Sequence, residues 1–379
     1  MPLRIAIDAS RATSAQPTGT ENYARRLIQA LVQANESRQE PDRYALYFRD
    51  DPAPELFPES AHVELIVLRA PRLWTHLRWA RALWKAKPDI TFAPAHTLPF
   101  IFPGAGIVTA HDLGYKRFPA SHPAMQRAHL DITTRFSQAR AALVLADSQA
   151  TADDLRRLYR TPADKIRVVY PGIDAPDELP SPAAIKSVRA KLRLPERYFL
   201  FVGTLQPRKN IRRLAQAFTR WQREHEDDET GLVLTGAKGW LFEDVWLAGA
   251  SNVQVTGYVD EADKAGLLAG SIALVFPSLY EGFGFPAAEA MRYGAPVIAS
   301  NTSSLPEVVG DAGLLVDPED VSAIAAAMSR CSRDLALRRQ MIERGFKQAS
   351  RFNWDSAAAQ VIDAFHEAGE RASARHRAI

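Results

Sequence analysis

At 379 residues, with 46% hydrophobic and 24% charged side chains, the chain has an ordinary globular composition and the length of two domains rather than one. A single cysteine, Cys331, excludes an internal disulfide and a cysteine-based zinc site, and a net charge of +3 gives no reason to expect nucleic acid. The first residues turn polar too early for a signal-peptide core, and the longest apolar stretch, 266–280, is broken by Gly270, Ser271 and Pro277, so a cytoplasmic protein without a membrane span is expected.

Short β-branched runs alternate with helical patterns along the chain. Leu3–Asp8 reads as a buried first strand and Asn22–Gln33 as an amphipathic helix, joined by a loop over Arg11–Thr20. Further strands are expected at Ala45–Phe48, Val63–Leu68, Ile90–Phe92, Gly106–Ala110, Ala142–Ala146 and Ile166–Val169. A proline-rich polar stretch, 171–195, then interrupts the pattern, with room for one short helix at Ala183–Leu192. A second series follows at Tyr198–Val202, Gly231–Thr235, Val253–Thr256, Ile272–Phe276, Pro296–Ala299 and Gly313–Val316. Apolar strands alternating with helices predict parallel sheets covered on both faces. The fold class expected is therefore α/β: two Rossmann-like, doubly wound domains facing a cleft. The boundaries are set at 1–175 and 196–355, with a linker at 176–195 and a C-terminal helix and tail, 356–379, that packs back on the first domain.

The most informative window is Pro277–Ile298, which follows the Ile272–Phe276 strand. Gly282 and Gly284 permit close backbone approach, and Pro286 suits the first turn of a helix over Ala287–Tyr293. A glycine loop feeding a helix start presents free N–H groups to a phosphate. Glu281 and Glu289 are eight positions apart, about 12 Å along a helix, so they address different ends of an extended ligand. Arg208 and Lys209, shortly after a strand and Gly203, place two cations where a diphosphate would need neutralising. Lys238, between Gly236 and Gly239, reads as a surface lysine. His111 and Asp112 follow an apolar strand, Asp112 either facing the ligand or closing the next turn; His96 near another strand end is better read as structural or acceptor-facing.

The run Glu281-Gly-Phe-Gly-Phe-Pro-Ala-Ala-Glu289 resembles the Glu-x7-Glu motif of the retaining glycosyltransferases of family 4, which have the GT-B fold. Gly203 to Ile211 resembles that family's phosphate-binding segment, and His111–Tyr115 and Gly19–Tyr23 its N-terminal motifs, in the expected order from Arg4 to about Asp363. The resemblance implies that Glu281 meets the donor sugar, that Glu289 binds the ribose diol, and that the amides of Phe283 and Gly284 meet the sugar or distal phosphate. It implies that His111 contacts the sugar, that Gly19 lets the first domain approach the diphosphate or acceptor, and that Tyr258 and Val259 hold the base. Many relatives have arginine immediately after the glycine; here Thr204 stands there, leaving the charge to Arg208 and Lys209.

The aspartate pairs Asp50-Asp51, Asp153-Asp154 and Asp227-Asp228 lack a convergent third ligand and read as solvated charges, so neither metal nor cofactor is expected. The stretch Arg69–Lys87 contains Arg72, Arg78, Arg81, Lys85 and three tryptophans but no acid. Helical spacing puts Leu73, Leu77, Ala80 and Trp84 on one face, read as the core side, and Trp74, Arg78, Arg81 and Lys85 on another. A peripheral membrane contact is the competing reading. The wording of HDLGYKRFP and GTLQPRKN is most similar to bacterial mannosyl- and rhamnosyltransferases of surface-polysaccharide assembly. The expected function is transfer of a hexose, led by mannose from GDP-mannose, to a saccharide or lipid-linked hydroxyl. A UDP-sugar donor, a UDP-sugar 2-epimerase and a non-catalytic nucleotide-sugar-binding protein are the alternatives.

Overall fold

The structure, a computed structural model, describes all residues except 1, 15–18, 58–59, 71–72, 96, 175, 177, 227, 240–242, 248 and 378–379. The chain divides into two compact units, Met1–Gly172 with Asn353–Ile379, and Ile173–Phe352. The first holds seven strands: β1 (Arg4–Asp8), β2 (Arg43–Phe48), β3 (Val63–Val67), β4 (Ile90–Ala93), β5 (Ala105–Ala110), β6 (Leu143–Ala146) and β7 (Ile166–Val168). They pair in the order β3-β2-β1-β4-β5-β6-β7, all parallel. The second holds six: β8 (Tyr198–Val202), β9 (Gly231–Thr235), β10 (Val253–Gly257), β11 (Ala273–Phe276), β12 (Val297–Ser300) and β13 (Leu314–Val316), in the order β10-β9-β8-β11-β12-β13, also all parallel. Each sheet reverses its winding once, between β1 and β4 and between β8 and β11. That is where a doubly wound sheet leaves a crevice beyond its strand ends.

Both cores are built from continuous apolar strands and one stripe of each covering helix. In the second unit the helix Ile211–Arg223 buries Ile211, Leu214, Phe218 and Trp221, spaced three and four apart. Trp221 stacks on Phe218 and meets Phe199 of β8 edge-on, with centroids 5.8 and 5.4 Å apart. Each such fully buried aromatic contributes roughly 1.5–3 kcal/mol. In the first unit the C-terminal helix Trp354–Arg377 returns to the sheet, where Phe365 meets Tyr44 of β2 and Phe92 of β4.

The proline-rich segment 176–195 lies within the second unit and carries the helix Pro182–Lys191. Ser181 accepts from the Ala184 N–H and Pro182 occupies the first turn, so residues that read as linker composition are a helix start. That helix lies close against Glu261–Ala269, where a Cβ on Gly266 would come within 2.9 Å of Val188.

The face assignment in Arg69–Lys87 is corrected. Trp74, Trp79, Ala80 and Leu83 are buried, while Leu73, Leu77 and Trp84 are exposed. The cause is a π-helical turn over Trp74–Trp79 ahead of the α-helix Ala80–Ala86. Residues five apart diverge by about 140° on an α-helix. The wider turn aligns Trp74 and Trp79 instead, and their rings stack at 5.7 Å. Among the described residues no helix is long and apolar enough to cross a membrane.

Candidate functional site

The second unit gathers several of the expected residues at the switch point of its sheet. Gly203 follows β8 with φ +143°, and Gly236 lies behind it with φ +136°. A Cβ on Gly236 would come within 2.2 Å of the Gly203 carbonyl oxygen, so two backbones meet where only glycine fits. Thr204 follows Gly203 and packs towards Gly239, and Lys238 stands exposed while its backbone pairs with Leu205. A turn of 3₁₀-helix, Pro207–Lys209, then carries both cations. Asn210 holds it in a left-handed conformation (φ +61°), its side-chain amide donating to the carbonyls of Pro277 (3.0 Å) and Pro318 (2.7 Å). The turn is thereby tied to the loop beyond β11.

That loop delivers Glu281 between the two cations. Lys209 Nζ lies 2.6 Å from Glu281 Oε1 and Arg208 Nη1 lies 3.2 Å from Oε2, while Arg208 also donates to the Tyr280 carbonyl. Lys209 and Glu281 are buried. Burial pushes the Glu281 carboxyl up, but the Lys209 ammonium and Arg208 guanidinium outweigh it and hold the group below its ordinary range. The Glu281 N–H donates to Ser303 Oγ, and the Ser304 hydroxyl spans the carbonyls of Glu281 and Phe283. Gly282 and buried Phe283 lead to Gly284, whose φ of +105° turns the chain into the helix Phe285–Arg292. The serines Ser303 and Ser304 were not singled out in the sequence, because nothing in their spacing links them to a loop twenty residues earlier.

Glu289 projects from that helix and pairs with Lys264 at 2.9 Å, Lys264 reaching Glu261 as well. Burial pushes the Glu289 carboxyl up, and Lys264 offsets this only in part. Sequence reasoning also missed Lys264, which sits on an ordinary helix. Tyr258 and Val259 follow the end of β10, Tyr258 exposed.

His111 and Gly19 belong to the first unit. Gly19 is not a loop residue but the first residue of the helix Gly19–Glu36. His111, beyond β5, is buried. Its Nδ1 lies 2.6 Å from Asp147 Oδ2 and its Nε2 lies 2.9 Å from the Pro94 carbonyl oxygen. Both partners are acceptors, so the ring donates from both nitrogens as an imidazolium. Burial opposes that charge, yet Asp147 and Pro94 prevail and the pKa is raised. Both ring nitrogens are thus committed inside the fold. Tyr23 packs edge-on against it at 4.7 Å. Asp112 closes the following turn by accepting from the Gly114 N–H.

Among the described residues no three of His, Cys, Asp and Glu converge on a metal position. Of the aspartates read as solvated, Asp50, Asp51 and Asp153 are exposed, the last two beside Arg69 and Arg156, and Asp228 is half-buried with Arg197; Asp154 is the correction, buried against Arg117. His96, Arg72 and Asp227 lie outside the described residues.

Family models described as Glycosyltransferase Family 4 and Glycosyl transferases group 1 match residues 17–176 and 185–348. An O-antigen chain mannosyltransferase B of Escherichia coli is 36% identical over 307 residues, which cover 79% of this chain and 80% of that protein. The chain belongs to glycosyltransferase family 4. This family 4 glycosyltransferase is also 30% identical over 235 residues to a serotype-specific mannosyltransferase of Escherichia coli, matching 60% of its own length but 29% of the longer relative. A sucrose-phosphate synthase from Thermosynechococcus elongatus superposes with a TM-score of 0.76, covering 96% of this chain and 98% of that one at 24% identity. The fold of this glycosyltransferase is accordingly GT-B, with one Rossmann-like sheet in each unit.

Proposed function

We propose that the protein is a retaining mannosyltransferase that moves mannose from GDP-mannose to a saccharide or lipid-linked hydroxyl in surface-glycan synthesis, acting from the cytoplasm without a metal. The similarity to the O-antigen chain mannosyltransferase supports the sugar and the setting. The chemistry is supported by one observation, the pairing of Arg208 and Lys209 with Glu281 at the switch point.

In this reading the amides of Phe283 and Gly284 receive the sugar or distal phosphate, and Glu289, steadied by Lys264, accepts from the ribose diol. Tyr258 and Val259 lie against the base, and Gly203 and Thr204 let the phosphates approach the backbone. Arg208 and Lys209 share their charge between Glu281 and the diphosphate, and their contribution grows as the leaving oxygen gains charge. The bond from the anomeric carbon to the phosphate oxygen breaks as the bond to the acceptor oxygen forms on the same face. The acceptor proton passes to the departing phosphate. In this reading Glu281 is not the nucleophile; Lys209 and Arg208 engage its two oxygens and lower its basicity. In the first unit His111 contacts the sugar, and Gly19, with no side chain, permits approach of the diphosphate or acceptor.

A thermal-shift panel of GDP, UDP, ADP and their sugar conjugates, with and without Mg²⁺, tests the donor. A ligand at one hundred times its Kd stabilises the folded state by about 2.7 kcal/mol. GDP and GDP-mannose are expected to raise the midpoint selectively and equally with or without Mg²⁺. A response to UDP compounds alone overturns the donor assignment, and release of free UDP or an epimerised sugar without acceptor overturns transfer itself.

A further inference from the structure

The outward side of the stretch from Leu73 to Lys85 carries side chains that the fold leaves uncovered. Leu73, Leu77 and Trp84 are 63%, 61% and 52% exposed. Beside them, Arg78, Arg81 and Lys85 face solvent at the same three- and four-residue spacing. These three cations form no ion pair among the described residues, and Arg69–Lys87 contains no carboxylate. The π-helical turn creates this face: by burying Trp74 with Trp79 it rotates Leu73 and Leu77 outward.

The apolar surface continues beyond the helix. His76 stacks on Phe100 at 4.0 Å, and Phe100 meets Phe136 edge-on at 4.9 Å. Ile101, next to Phe100, and Ile132, one turn before Phe136, are also exposed. Three segments of the first unit thus present large apolar side chains together, where a soluble surface would scatter them singly.

Leucines and a tryptophan among unpaired cations fit a surface that is anionic outside and apolar just beneath. A second copy of this chain fits less well. A two-fold contact on this face would set Arg78, Arg81 and Lys85 near their own counterparts. We propose that this face docks the protein on an anionic lipid bilayer. Leu73, Leu77 and Trp84 enter the boundary between headgroups and acyl chains, and Arg78, Arg81 and Lys85 lie among the lipid phosphates. The proposal adds a partner to the reading above. Its test uses neither donor nor acceptor, so the failure of one is distinguishable from the failure of the other.

The full chain is sedimented with phosphatidylcholine vesicles, with and without phosphatidylglycerol, at low and high salt. Binding to the anionic vesicles, weakened by salt and weak on phosphatidylcholine alone, is expected. The double variant Arg81→Gln/Lys85→Gln should bind about 30-fold less at low salt, at about fivefold per cation. Leu77→Ser/Trp84→Ser should bind less at both salt concentrations. An unchanged thermal midpoint confirms that each variant folds. No binding to anionic vesicles at low salt, or binding that the substitutions leave unchanged, overturns the proposal. So does self-association abolished by Leu77→Ser/Trp84→Ser without vesicle binding, which assigns the face to a second copy.

Discussion

Both oxygens of the Glu281 carboxylate are engaged, one by Lys209 and one by Arg208, in a pocket closed to most water. Replacing it with glutamine leaves two cations short of their counter-charge. Breaking such a buried arrangement costs about 3–5 kcal/mol. Glu281→Gln is therefore expected to lower the thermal midpoint and to cut turnover about 100-fold. Intact-mass measurement during turnover should find no sugar attached at Glu281, and an adduct there would refute the same-face mechanism. His111 gives the complementary case in the first unit. Its folded-state pKa is raised above the unfolded value of about 6.5. The resulting stabilisation is complete below that value and is lost as pH rises through the folded pKa. Asp147→Asn should remove most of this pH-dependent part. Thermal midpoints recorded across neutral and alkaline pH would show a falling curve for the parent chain and a flatter one for the variant. If the two curves run parallel, Asp147 does not hold the ring charged. Neither Asp147 nor Lys264 was legible in the sequence. They lie 36 and 25 positions from their partners, and only the sheet order brings them close.

Strands were the most readable elements, because a buried parallel strand is a short apolar run with polar ends. Tyr198–Val202 and Gly231–Thr235 coincide with their expected limits, and the others differ by a residue or two. The helical stretch from Trp74 to Ala86 was not readable in phase. A π-turn leaves no mark in composition, and an α-spacing applied across it assigns the opposite face to Leu77 and Trp84. In the segment 176–195 the short helix expected at Ala183–Leu192 is found at Pro182–Lys191, but its composition did not show that it belongs to the second unit rather than to a linker. In the second unit the loops after β8 and β9 depend on the contact between Gly203 and Gly236. Gly236→Ala adds a methyl against a carbonyl at a positive φ, and strain of this kind costs on the order of 1–3 kcal/mol before the clash. Lower stability, together with weaker nucleotide binding, is expected in thermal-shift measurements. A variant with parent-like midpoint and binding would show that the two loops can part without consequence.

At the scale of the molecule, the first unit is discontinuous in sequence: its last helix, Trp354–Arg377, is separated from the rest by the whole of Ile173–Phe352. That helix buries Ala358, Val361, Ile362 and Phe365 on the first sheet and its neighbouring helix. A chain ending at Phe352 should therefore leave the first unit's core open while the second unit keeps all its strands. Hydrogen exchange would then be fast over β1, β4 and β5 and slow over β8, β9 and β11. Uniform protection in the truncated chain would contradict this. The same discontinuity orders events during synthesis. Translation at roughly 5–20 residues per second leaves the first sheet without its covering helix for on the order of ten seconds or more, while the second unit emerges and is free to fold. In that interval Tyr44 and Phe92 have no Phe365 to cover them. Exposure to proteases and aggregation is then greatest over the first unit's sheet, and it ends only when Trp354–Arg377 has left the ribosome.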